Sequence, residues 1–122
     1  MRKSRIIALG LTVSLLFPAA AAVAEEPPTI AVTLKDHRFS PSEIHVPAGK
    51  AVILRVTNED DTVEEFDSAA LKVEKMIASG HSATVRLRPL GPGRYPFVGE
   101  YHAETAKGVV ISEPDAGQAG GK

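Results

Sequence analysis

The sequence predicts an all-β sandwich or barrel of about seven short strands, and three observations carry that reading. Short runs alternate apolar and polar residues, as in Ile30, Val32 and Leu34 or Val52, Leu54 and Val56, the period of a half-buried strand. Turn signals such as Pro47-Ala48-Gly49 and Gly91-Pro92-Gly93 punctuate the runs, at the spacing of sandwiches and barrels. The chain that remains after a leader is 98 residues, residues 25–122, which suits one domain with its own core.

The leader comes first. Arg2, Lys3 and Arg5 precede an apolar run over residues 6–17, and Ala22-Val23-Ala24 is a small-x-small motif. That is the pattern of a secretory signal peptide, with cleavage expected after Ala24 and a periplasmic destination. The apolar run is shorter than the ~20 residues of a membrane span. The remaining chain holds 11 basic and 15 acidic residues, a balance that argues against a nucleic-acid partner, since phosphate binding needs a basic face. Cysteine is absent, so no thiolate is available as metal ligand or nucleophile and no disulfide can form.

The elements follow in order. Residues 29–34 alternate and read as a strand, residues 36–42 as a loop, and residues 43–46 as a short strand ended by the Pro47 turn. Residues 51–57 alternate again. Asn58-Glu59-Asp60-Asp61-Thr62 is a polar loop. Residues 63–68 read as extended and residues 69–75 as an irregular or short helical excursion. Residues 82–87 alternate through Ala83, Val85 and Leu87, and the Gly91 turn leads into residues 94–98. Residues 113–122, rich in Gly, Asp and Gln, are expected to be a disordered tail.

Alternating strand direction places the loops. With the Pro47 and Gly91 turns at one end, the loops beginning at His37, Asn58, Ala78 and Gly99 all fall at the opposite pole. These loops carry His37, Glu64, Glu65, Asp67, His81, Glu100, His102 and Glu104. Imidazole and carboxylate together suit divalent and trivalent transition metals. His102, in a loop flanked by carboxylates, is the leading candidate, followed by Glu100. An extended chain points Glu64 and Glu65 to opposite sides. Glu64 shares the parity of Phe66 and is favoured to face the interior, but both are carried forward. His37 joins them by topology, next to Phe39, which reads as core. Asp67 and Glu104 read as outer or surface groups, His81 as a rim residue and His45 as an outward residue on its strand. Met76 reads as core. Hydrolase motifs such as Gly-x-Ser-x-Gly or His-Glu-x-x-His are absent.

The chain resembles the cupredoxin superfamily in Val46-Pro47-Ala48-Gly49, in residues 52–58, in residues 91–97, and in His102 followed by Gly108-Val109-Val110-Ile111. The resemblance implies a Greek-key β-sandwich with a metal at one pole. It departs from the blue-copper pattern. Gly99 stands where the copper-binding Cys is expected, Ala106 or Lys107 where the Met is, and Glu64 or Glu65 at the place of the upstream His. A blue-copper centre needs the thiolate, so that centre is excluded. The chain looks closer to the EfeO-type domain and to the small periplasmic cupredoxin of ferrous-iron permease systems. That similarity lies in residues 36–41, 64–68, 74–77 and 99–108. It implies copper or iron as the bound ion, a membrane iron permease or another uptake component as partner, and a possible ferroxidase-like accessory role. A non-catalytic copper chaperone or electron-transfer partner is the second expectation, and a metal-free interaction module the third.

Overall fold

Among the described residues nine strands pack as two sheets around one apolar core. The structure is a computed structural model and describes residues 2–4, 7–18 and 25–115. The expected cleavage motif at residues 22–24 and the tail beyond residue 115 lie outside the described residues. The strands are β1 (Thr29–Lys35), β2 (Arg38–Ser40), β3 (Glu43–Pro47), β4 (Val52–Asn58), β5 (Glu64–Ser68), β6 (Val73–Ile77), β7 (Ser82–Leu87), β8 (Gly93–Gly99) and β9 (Lys107–Glu113). A 3-10 turn, Glu100–His102, follows β8. Among the described residues no helix is long and apolar enough to cross a membrane.

One sheet has the order β2-β1-β4-β7 and the other β3-β9-β8-β5-β6. The pairs β1/β4 and β3/β9 are parallel and all others antiparallel. The expected alternation is realised: Val32 and Leu34, Val52, Leu54 and Val56, and Val85 and Leu87 point inward and are buried. Burial of this kind is worth roughly 1.5–3 kcal/mol per large side chain.

Two strands go beyond the seven expected. The expected loop at residues 36–42 contains β2, joined to β1 by the two-residue turn Asp36-His37 with Lys35 opposite Arg38. The expected excursion at residues 69–75 is a turn followed by β6, paired with β5. β6 lies at a sheet edge with Glu74, Lys75 and Met76 exposed, so it lacks the alternation that marks a half-buried strand. Met76, expected in the core, is 52% exposed, because it stands opposite Glu65 on the outer face of the sheet.

β1, β4, β6 and β8 run toward one pole and β2, β3, β5, β7 and β9 run away from it. The loops carrying His37, Asp60, His81 and His102 therefore meet there, as strand alternation requires. The pole is founded on a phenylalanine cluster. Phe39 packs edge-on against Phe66 and Phe97 at centroid distances of 5.8 and 5.1 Å, and Phe66 stacks on Phe97 at 4.7 Å. Each such pair contributes about 0.5–1.5 kcal/mol beyond its buried area. Each ring also sits two residues from a pole residue: Phe39 from His37, Phe66 from Glu64, Phe97 from Gly99. Because strand side chains repeat every second residue, the cluster fixes Glu64 and Gly99 on the inner face.

Candidate metal centre

Glu64 opens β5 and is 1% exposed, an unusual place for a carboxylate. It is fully engaged. Its Oε1 accepts the backbone N–H groups of Tyr101 at 2.8 Å and Glu65 at 3.0 Å, and its Oε2 lies 2.5 Å from His102 Nδ1. With Oε1 taken by two backbone donors, the third bond joins Oε2 to His102 Nδ1, and an N–H at Nδ1 serves the carboxylate as donor. The hydrogen bond at one ring nitrogen decides the state of the other. In the neutral ring that donates from Nδ1, Nε2 carries the lone pair.

His37 covers this pair. Its ring stacks on that of His102 with centroids 3.5 Å apart and planes 11° from parallel. Both imidazoles are half-buried. The turn that delivers His37 is held from the β4–β5 loop. Asp60 Oδ1 accepts the N–H of Asp36 at 2.6 Å, and Oδ2 accepts the N–H of His37 at 3.0 Å.

Gly99 completes the centre by having no side chain. A Cβ there would lie 2.7 Å from Glu64 Cδ, 2.9 Å from Glu64 Oε2 and 2.8 Å from the Ala106 methyl. The Glu64 carboxylate fills the space that a residue larger than glycine would need. Glycine at this position and a buried glutamate opposite are sterically linked.

The other candidates separate from this group. Glu65 is on the outer face of β5, as its parity with Glu64 demands, and its Oε2 accepts the Tyr101 hydroxyl at 3.4 Å. Glu100 is exposed on the 3-10 turn; sharing of its proton with the neighbouring Asp67 carboxyl, then repulsion from Asp67, partial desolvation and repulsion from Glu65 and Glu64, raise its pKa. Glu65, Asp67 and Glu74 offer ligand atoms that all lie within 4.8 Å of one another. Thus the structure brings His102, His37 and Glu64 together and puts Glu65 and Glu100 with Asp67 and Glu74 in an acidic outer patch. Tyr101 links the two groups. Its N–H is on Glu64, its hydroxyl contacts Glu65 and Met76 Sδ at 3.4 Å each, and its pKa is raised by partial desolvation and these carboxylates. His81 is an exposed rim residue whose Nδ1 contacts the Ser79 carbonyl at 2.8 Å. Glu104 is exposed. His45 faces outward between Glu113 at 2.9 Å and Glu43 at 3.8 Å, away from the pole.

Asp60, Tyr101 and Glu74 were not among the sequence candidates. The signal for Asp60 was local. Asn58 and Asp60 are two apart, and Asn58 Oδ1 accepts the Asp60 N–H at 3.0 Å, the self-bonded turn that Asn favours.

The donor chemistry fits a transition-metal ion without a thiolate. Two imidazoles and a carboxylate are donor types that suit copper(II), zinc or iron, whereas copper(I) prefers sulfur; both Glu64 oxygens are already bonded and the rings stack face to face, so the imidazole nitrogens are the donors left for an ion. The acidic outer patch adds a field that draws cations to the pole.

Comparison with known proteins agrees with the architecture. Residues 5–112 match the family described as Cupredoxin-like domain. The uncharacterized protein RP394 of Rickettsia prowazekii (strain Madrid E) is 40% identical over 82 residues, which is 67% of this chain and 66% of that protein's length. The chain thus spans just under two thirds of that relative. Among solved structures, a copper binding protein in the apo form superposes with a TM-score of 0.63 at 15% identity, covering 75% of this chain and 93% of the other. Auracyanin B gives 0.61 at 21%, covering 75% and 94%. The metal binding domain of the Streptococcus pneumoniae D39 Cu(I) exporting P-type ATPase CopA gives 0.61 at 15%, covering 75% and 91%. At these identities the likeness is one of fold.

Proposed function

Because the chain belongs to the family of the cupredoxin-like domain, we propose that its His37–His102–Glu64 pole is a metal centre of a periplasmic protein that binds copper or iron. The observation that carries this reading is the buried Glu64 carboxylate bonded to His102 Nδ1, with the His37 ring stacked above it. A carboxylate on one imidazole nitrogen makes the other a better ligand and fixes its direction. His102 would hold the ion through a ring nitrogen, His37 would join it once its ring turns out of the parallel stack, which sets the two lone pairs side by side, and Glu64 would supply the compensating charge beneath them. Glu65, carried forward as a ligand from the sequence, stands with Asp67 and Glu74 in a ligand-spaced group of its own, and Glu100 lies beside it in the outer patch that concentrates cations.

Nitrogen and oxygen donors favour the more highly charged form of a redox ion, so ferrous iron held there would give up its electron to dioxygen more readily, whereas copper(II) held there would be the weaker oxidant. This supports the finer reading of an EfeO-type accessory in ferrous-iron oxidation and uptake, delivering to a membrane permease. Copper carriage or electron transfer without turnover uses the same centre. Calorimetric titration of metal-free protein with Cu(II), and with Fe(II) and Fe(III) under controlled oxygen, ranks the ions. Oxygen uptake on adding ferrous iron then separates the two roles. Uptake above the protein-free rate supports oxidation, and binding without uptake supports carriage.

A further inference from the structure

The β1–β2 turn carries a histidine where glycine is preferred. It is a two-residue hairpin connection, Asp36-His37, and both residues have left-handed backbones, with φ of 51° and 56°. Consecutive positive φ values are the pattern for which hairpins use Asn-Gly or Gly-Gly. A side chain at both positions costs energy relative to glycine, although Asp and His tolerate the left-handed region better than most residues. Glycine at residue 37 would relieve the strain and remove the imidazole.

The turn is held by Asp60, and every polar group of that residue is committed. Its carboxylate takes the two successive N–H groups of the turn, its own N–H is on Asn58 Oδ1, and its carbonyl accepts the Ser79 hydroxyl at 2.6 Å. Asn58 is 0% exposed and donates to the carbonyls of Thr62 at 2.8 Å and Ile77 at 3.0 Å. A continuous hydrogen-bonded strut therefore runs from the buried end of β4 to the backbone of His37. The His37 ring then meets His102.

We infer that Asp60 is a positioning residue of the centre: it holds the strained turn so that His37 reaches the ion bound by His102. This rests on the metal reading above for the second half only; the first half concerns the metal-free protein. The anion is suited to the task because two converging N–H groups form a small anion-binding concavity. A neutral side chain cannot satisfy both donors equally well.

The test uses the exported protein and two readouts. In the metal-free protein, proton–proton contacts between the His37 and His102 rings report the stack directly. Asp60→Ala should abolish them while leaving the contacts among Phe39, Phe66 and Phe97 intact. Cu(II) affinity should fall about 10–100-fold, the usual effect of removing a group that orients a ligand. In a His37→Ala background, Asp60→Ala should cost nothing further, since the two residues act as one unit. Should Asp60→Ala fail to fold, Asp60→Asn, which keeps one acceptor, should weaken the ring contacts and the affinity partially. His37→Gly should raise the thermal midpoint while weakening Cu(II) binding.

Persistence of the ring contacts in Asp60→Ala overturns the proposal, as does an equal loss of affinity with and without His37. A wild-type protein that binds no Cu(II) removes the metal half, and the ring contacts still decide whether Asp60 sets His37.

Discussion

Replacing Glu64 with glutamine should leave the fold and reverse the hydrogen on His102. The side chains are nearly isosteric, and three N–H donors surround the carboxylate. The amide oxygen must stay with Tyr101 and Glu65, because turning the amide would set its NH2 against two backbone donors. The amide nitrogen then faces His102 Nδ1 and donates to it. Nδ1 becomes the acceptor, and Nε2 takes the hydrogen and loses its lone pair. Converting charge-assisted bonds into neutral ones costs roughly 1 kcal/mol each, and the cheaper burial of a neutral amide offsets part of that. A net loss of about 1–2 kcal/mol lowers the thermal midpoint by roughly 5–15 °C for a domain of this size. The tautomer is read from two-bond nitrogen–proton correlations of the His102 ring under mildly alkaline conditions. Wild type should show the hydrogen on Nδ1 and the variant on Nε2. Cu(II) affinity should drop about 10–100-fold, well beyond what the modest stability change implies. An unchanged tautomer, or unchanged affinity with a switched tautomer, would refute the reasoning.

Two further outcomes follow from the same geometry. Gly99→Ala should be destabilising by about 1–3 kcal/mol, the cost of overfilling a packed site, because the Gly99 N–H is bonded to the Ala106 carbonyl at 2.8 Å and the strand cannot retreat from Glu64; chemical denaturation measures it, and a neutral result would show that the carboxylate yields freely. Glu100→Gln tests the acidic patch through pH. The folded-state pKa of Glu100 is raised, so its contribution to stability is present at acid pH and is lost as pH rises through the folded pKa. The variant should therefore melt above wild type near neutrality, and the gap should close on acidification toward about pH 4. A gap that stays constant with pH would place Glu100 outside that patch.

The sequence shows most of the scaffold because half-buried strands advertise themselves. Residues 29–34, 51–57 and 82–87 alternate and are β1, β4 and β7 with little change. The polar convergence was legible from strand direction alone, and the parity of Glu64 with Phe66 correctly placed the first carboxylate inside and Glu65 outside. What was hidden shares a physical cause. β2 is three residues long and follows a turn without glycine, so neither alternation nor turn chemistry marks it. β6 is an edge strand wet over most of its length, which erases its period and left Met76 looking like core. Asp60 acts on backbone N–H groups 23 and 24 residues away, and nothing local to residues 58–62 names those donors. The steric link between Gly99 and Glu64 spans two strands and exists only as volume.

Whether the pole holds a metal through His102 is tested most directly by titrating metal-free wild type and His102→Ala with Cu(II) in a calorimeter. One equivalent bound at micromolar or tighter affinity in wild type, collapsing in the variant, is the expected result. No saturable binding, or binding that survives loss of the imidazole, would contradict the account and leave a β-sandwich whose Glu64–His102 pair serves only its fold.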